Sequence, residues 1–334
     1  HDHPIERTTR EKISLFCNVE RDCVIMAPDV DCIYDLPVRL HAAGLDNRVC
    51  DLMSMWTADP SLEPWARVAR TFKKANRVTK IGIVGKYVEL KESYKSLHEA
   101  LVHGGIENDC KVSLVYVDAE EIEKDGATGA LKGVDGVLVP GGFGERGIEG
   151  KILAAKYARE NGVPYFGICL GMQVAVIEFA RHIAGLKGAH STEFEADCAE
   201  PVVHLMPDQR GVTDKGATMR LGAYPCTLTE GSIAAGIYGT TDISERHRHR
   251  YEVNNEYREG LTAKGLTFSG VSPDGRLVEM CENAAHPYFV ACQFHPEFKS
   301  RPTNAHPLFS RFVQACLRQN DKLATSGKAS QPAA

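Results

Sequence analysis

VPYFGICLGMQVAVIEFARHIAG, Val163 to Gly185, is the stretch whose reading decides the fold. Its first eight residues are a short apolar run of strand length, and the remainder sets apolar side chains at helical spacing until a Gly stops it. The flanking text repeats this grammar. Upstream, KIGIVGKY reads as a buried strand, ESYKSLHEALVHGG as a helix ended by Gly, KVSLVYVD and DGVLVPGG as strands, and GKILAAKYARENG as a helix. Strands alternating with helices imply an α/β fold with a mostly parallel, right-handed, doubly wound central sheet. Downstream of Gly188 the helices thin out. TMRLGAYPCTLT, TFSGVSPDGRLVEMCE and YFVACQF read as antiparallel strands, the second folded on a DG turn at Asp274-Gly275, so an additional antiparallel portion is expected. A last helix, HPLFSRFVQACLRQ, precedes a polar tail, ATSGKASQPAA, expected to be disordered.

The first quarter of the chain has a different texture. Lys12 to Leu45 reads as a strand, a short loop and a helix, too little to bury a core, and so as the remnant of a domain whose body is missing. Residues 46–78 carry both Trp residues and the amphipathic stretch WARVARTFKKA, which reads as an ordered linker. The expected organisation is therefore a remnant at 1–45, a linker at 46–78, one domain at 79–320 and a tail at 321–334.

Composition narrows the function. With 334 residues, 43% apolar and 25% charged, the chain has material for a substantial core, which excludes disordered and fibrous classes. Thirty-nine basic against 44 acidic residues leave a net charge of -5, so no general basic field is available for nucleic acid or an anionic membrane. No run of eighteen apolar residues suggests a membrane span, and the opening HDHPIERTTR, without Met or signal segment, reads as a cytosolic, processed piece. Eleven Cys, odd in number and without a CxxC pair, read as reduced thiols and neither a disulfide framework nor a zinc site.

Two motifs are decoys. Gly142 to Gly147, GFGERG, fits the dinucleotide fingerprint GxGxxG, yet the next strand ends in Cys where a ribose-binding acid belongs. His1-x-His3 and His247-x-His249 have no Cys or carboxylate at ligand spacing beside them, and read as a terminal scrap and a basic surface run.

Three pieces carry chemistry. Gly167-Ile168-Cys169-Leu170-Gly171 has the form of a nucleophile elbow with Cys in place of Ser; the glycines admit a sharp strand-to-helix turn, and the helix N-terminus favours thiolate. A buried structural Cys between packing glycines fits the same residues. His295-Pro296-Glu297 follows the strand YFVACQF, and in an extended segment residues i and i+2 face the same way, which supplies a base and its orienter. An ordinary turn is the alternative. Pro140-Gly141-Gly142-Phe143 ends a neighbouring strand, so the Gly142 and Leu170 amides form the available pair of oxyanion donors.

A strand-terminal PGGFG, a GxCxG elbow and a late HPE together resemble the class I, triad-type glutamine amidotransferases. GKYVELKESYKSLHEALVHGG, LVPGGFGERGIEGK, FGICLGMQVAVIEFAR, STEF, MRLGA, RHRHRYEVNN and VACQFHPEF make the chain similar to the CTP synthase family from about Lys80 to Gln319. CNVERDCVIMAPDVDCIYDLP looks like the end of that family's synthetase domain. The resemblance implies Cys169 as nucleophile, His295 as base and Glu297 as its orienter. It further implies a glutamine pocket of Gly142, Leu170, Gly171, Met172, Gln173, Glu193 and Arg250, with Glu193 on the ammonium and Arg250 on the carboxylate. Asp29 and Val30 match a segment that contacts the adenine of ATP. In the family, ammonia freed from L-glutamine passes to the synthetase domain, where UTP activated by ATP and Mg2+ becomes CTP, and GTP promotes the glutaminase. The complete enzyme is expected to be a cytoplasmic homotetramer, and the glutaminase part needs no cofactor or metal. No phosphate loop or set of magnesium carboxylates occurs here, so this piece alone is expected to make no CTP. Glu92-Ser93 stands where the family has Asp-Ala. The competing readings are a glutaminase serving another synthetase, and a silent filament or interaction module.

Overall fold

Residues 2–86, 91–206 and 219–329 are described in a computed structural model. Contacts divide them into two units, His1–Asn76 and Arg77–Ala334. The first holds four helices: α1 (Arg7–Cys17), α2 (Leu36–Ala42), α3 (Leu45–Leu52) and α4 (Glu63–Lys74). Its small core gathers Val24, Cys32, Tyr34, Val68 and Ala69, with Tyr34 edge-on to Phe72. The strand expected between Lys12 and Leu45 is absent from the described residues: Lys12–Cys17 closes its backbone hydrogen bonds within α1, and the chain from there to α2 forms only short turns. That helix buries none of its residues, and Leu15 and Phe16 are 77% and 85% exposed.

The second unit runs β1 (Arg77–Gly85), α5 (Lys95–Glu107), β2 (Cys110–Asp118), α6 (Ala119–Asp125), α7 (Ala127–Ala130), β3 (Gly136–Val139), α8 (Ile148–Glu160), β4 (Tyr165–Ile168) and α9 (Leu170–His182). It continues with β5 (Ala189–Ser191), β6 (Glu200–Leu205), β7 (Arg220–Leu228), α10 (Ile233–Tyr238), β8 (Asp242–His249), β9 (Tyr251–Val253), α11 (Arg258–Ala263), β10 (Thr267–Val271), β11 (Val278–Glu282), β12 (Phe289–Cys292) and α12 (Pro307–Ala329). Nine strands form one sheet in the order β2-β1-β3-β4-β12-β11-β10-β7-β8, and β5-β6-β9 form a second. Alternate strand residues enter opposite cores: Val137 and Val139 join α8 and α9 on one face, while Leu138 joins α5 and α12 on the other. The result is a three-layer α/β/α arrangement.

The strand from YFVACQF departs from the sequence reading. β12 is antiparallel to β11 but parallel to β4, so it is the seam between the two halves of the sheet. The helix expected to stop at Gly104-Gly105 instead runs on to Glu107. Those glycines serve close packing: a Cβ on Gly104 would lie 2.9 Å from the Phe309 oxygen, and one on Gly105 the same distance from the Cys110 oxygen. The tail expected to be disordered is helical as far as Ala329, since propagation adds one hydrogen bond per residue once a helix is nucleated. His1, Tyr87 of the predicted strand, and residues 330–334 lie outside the described residues. No helix among the described residues is long and apolar enough to cross a membrane.

Candidate active site

Cys169 is the single residue between β4 and α9, with φ 53° and ψ −102°. A side-chain-bearing residue holds such a conformation only when its surroundings impose it, at a cost of order 1–3 kcal/mol. The imposition is visible in the hydrogen bonds. The Cys169 amide donates to the Cys292 carbonyl at 2.7 Å, extending the sheet, while its carbonyl already accepts from Met172 and Gln173 in the first helical turn. Two glycines make room for this turn: a Cβ on Gly167 would meet the Gly171 oxygen at 2.6 Å, and one on Gly171 the Val139 oxygen at 2.1 Å.

The pairing of Cys292 with Ile168 brings the chain beyond β12 alongside this junction. His295 Nδ1 lies 2.8 Å from Glu297 Oε1, with only 13% and 11% of the two side chains exposed. Burial alone would lower the His295 pKa, but the charge of the Cys169 sulfur, its hydrogen bond to the ring, and Glu297 outweigh burial and push it up to about 10. Gly141 touches the same ring, since a Cβ there would lie 2.7 Å from His295 Cε1.

Cys169 stands in the wall between two cavities. One, of about 470 Å³, is lined by Gly142, Gln173, Glu193 and Arg250 among others. The other, of about 260 Å³, holds His295, Glu297, Tyr94, Lys95 and Arg248. Glu193 follows β5 and Arg250 joins β8 to β9, so the small sheet, which sequence reading missed, brings these opposite charges into one cavity. Glu193 Oε1 also accepts from the Gly144 amide at 3.1 Å, tying the PGGFG loop to it. Leu170 and Met172 are buried in the core and Gly171 packs on Val139, so none of these three lines the cavity. Leu170 retains its amide, which as the first helical N–H has no intrahelical acceptor. Asp29 is exposed and Val30 half-buried in the first unit.

The run RHRHR is not a basic surface strand. β8 alternates, so His247 and His249 are buried while Arg246 and Arg248 are exposed. His247 Nδ1 lies 3.1 Å from His249 Nε2, and Glu279 approaches His247 Nε2 at 3.5 Å and Arg220 Nη1 at 2.7 Å. Burial with the charge of Arg220 holds His249 down to about 3, and burial pushes Glu279 up to about 7. Among the described residues no group of three or more His, Cys, Asp or Glu could hold a metal ion. Sequence reading also missed Gln293, whose Nε2 lies 3.6 Å from Cys169 Sγ. The two-residue spacing that links His295 to Glu297 extends back to it.

Residues 89–315 match the glutamine amidotransferase class-I family, and residues 1–55 match the CTP synthase N-terminus family. A CTP synthase of Syntrophus aciditrophicus is 57% identical over 315 residues, covering 94% of this chain and 59% of the relative. One from Geotalea uraniireducens is 56% identical over 317 residues, covering 95% and 59%. The chain thus spans 59% of the length of these curated relatives. The solved glutaminase domain of Trypanosoma brucei CTPS, with bound acivicin, is 42% identical with a TM-score of 0.68, covering 72% of this chain and 94% of that one. The chain belongs to the class-I glutamine amidotransferase family, within its CTP synthase branch.

Proposed function

We propose that this chain hydrolyses L-glutamine through Cys169, His295 and Glu297, and that the whole protein uses the ammonia to convert UTP to CTP. The observation that carries the reading is the strained Cys169, with an ion-paired imidazole in one cavity and an acid and a base of opposite charge in the other. Glutamine is a zwitterion, and Glu193 suits its ammonium while Arg250 suits its carboxylate. Held so, the substrate directs its carboxamide at Cys169. With His295 raised to about 10, the imidazole stands as a cation at neutral pH beside the Cys169 sulfur. The thiolate adds to the amide carbon, and the oxyanion takes hydrogen bonds from the Gly142 and Leu170 amides, each worth about 3 kcal/mol. His295 then gives its proton to the departing nitrogen and ammonia leaves. Water, deprotonated by His295, opens the thioester to glutamate and restores the pair. Glu297 holds Nδ1 throughout and stabilises the cation whenever it forms.

In the whole protein, amination of UTP draws on ATP and Mg2+, GTP promotes the glutaminase, and Asp29 and Val30 contribute to an adenine site. Four chains assemble in the cytoplasm. The glutaminase reading is tested by ammonia release from glutamine. The expected result is turnover that Cys169→Ala abolishes, and parent-like release from folded Cys169→Ala would overturn it.

A further inference from the structure

One polar side chain in contact with the nucleophile lies outside the triad. Gln293 is fully buried, and its Nε2 is within hydrogen-bonding reach of Cys169 Sγ at 3.6 Å. Its amide orientation is dictated by its neighbours. Gln173 Nε2 donates to the Tyr251 carbonyl at 3.1 Å, an atom that can only accept, so the NH2 group of Gln173 must face that way. The same NH2 donates to Gln293 Oε1 at 3.3 Å. Gln293 therefore presents oxygen to Gln173 and its own NH2 to sulfur. Flipping either amide would set like against like in a buried site, leaving polar groups unsatisfied. The Tyr251 carbonyl is fixed in turn by His249 Nδ1 at 3.0 Å.

Building on the reading of Cys169 as nucleophile, we infer that Gln293 is a further catalytic residue, whose carboxamide donates a hydrogen bond to the thiolate, with Gln173 positioning it. The sulfur's contact with a backbone carbonyl favours the opposite state. Cys169 Sγ–H faces the Arg248 carbonyl at 3.9 Å, a contact that ionisation makes repulsive. A neutral amide donor stabilises the anion without competing for the imidazole proton.

The test is Gln293→Met, which keeps approximate bulk and leaves Gln173 its Tyr251 contact. Iodoacetamide alkylation of the Cys169 peptide, followed by mass spectrometry across pH, reads the thiolate directly. The profile should move up by about one pH unit, with about tenfold slower reaction on its rising limb. Glutaminase kcat should fall while KM stays close to the parent value, a split that a packing defect at the pocket would not produce. A profile superimposable on the parent's overturns the inference while leaving the nucleophile reading intact. A parent protein that keeps its glutaminase after Cys169 is alkylated overturns that reading instead. Should the variant not fold, the Gln293 side-chain amide proton in the parent decides: it should shift as Cys169 titrates and again on alkylation, and an amide indifferent to both refutes the hydrogen bond.

Discussion

Replacing Gly141 by Ala is expected to disable the site while leaving the fold intact. Gly141 is not among the residues with positive φ, so its backbone accepts a side chain. The new Cβ would lie 2.7 Å from His295 Cε1, about 0.8 Å inside an ordinary carbon–carbon contact of about 3.5 Å. Its distance to Cys169 Cβ, 3.5 Å, is ordinary. The imidazole cannot drift away freely. Nδ1 is held at 2.8 Å by Glu297, the backbone amide donates to the Arg246 carbonyl at 2.7 Å, and Phe298 lies alongside the ring with centroids 5.7 Å apart. Relief therefore stretches the Glu297 contact or pushes back the Gly141-Gly142 backbone, which carries the proposed oxyanion donor. Misplacement approaching 1 Å costs about 10²-fold in turnover. Steady-state glutaminase kinetics, with melting by circular dichroism as the fold control, should show kcat down by about that factor and KM within about twofold, because Glu193 and Arg250 are untouched. Parent-like kcat in a folded Gly141→Ala protein would refute the placement of the proton-transfer group at His295.

Acivicin, which the trypanosomal relative holds, should label Cys169 in preference to the other buried thiols: burial pushes Cys110 up to about 11 and Cys281, Cys292 and Cys316 higher still. Peptide mapping checks this, and label on Cys292 with Cys169 untouched sinks the elbow assignment. Glu297→Gln should fold yet lose about 10²-fold or more in kcat, less than Cys169→Ala, because an unoriented imidazole still acts part of the time. Parent-like turnover would make HPE an ordinary turn. Lys151 is 2% exposed, and burial with the charge of Lys86 holds its pKa down to about 8 from 10.5. Below pH 8 both states carry the charge but only the folded one buries it, so stability rises between pH 8 and 10.5 as the folded chain alone loses the proton. Lys151→Met should thus add up to about 3 kcal/mol at pH 7 and nothing above pH 10.5, and an equal gain in denaturant titrations at both pH values would contradict it.

The centre of the parallel half was legible because β3 and β4 are buried on both faces and read as unbroken apolar runs, as in VPYFGICL. The elbow was legible too, since Gly167 and Gly171 are required by contacts of 2.6 and 2.1 Å that any larger residue would break. What escaped depends on partners distant in sequence. The direction of β12 is set by pairing with Tyr165–Ile168, more than 120 residues earlier, and nothing within YFVACQF encodes it. The burial of His247 and His249 depends on partners outside RHRHR: Glu279 lies beside His247, Arg220 reaches both of them, and His249 bonds the Tyr251 carbonyl. Gln293 was hidden because an amide beside a catalytic motif has no charge or unusual backbone to mark it.

The direction of β12 also explains why residues so far apart in sequence converge. Adjacent parallel strands present their carboxyl ends at one edge of a sheet, the edge where ligands bind in open α/β folds. β3, β4 and β12 are such neighbours, and they end respectively in Pro140-Gly141-Gly142, in Cys169 and in the approach to His295. An antiparallel β12 would have carried His295 to the far edge. From β12 the sheet then reverses four times, through β11, β10, β7 and β8. Four reversals restore the original direction, so β8 also ends at this edge, with Arg248 near its end and Arg250 on the chain leaving it. An odd number of antiparallel strands beyond the seam would deliver the two arginines to the opposite side. The antiparallel half thus brings Arg250, the proposed partner of a substrate carboxylate, to the edge where the parallel half places Cys169 and His295.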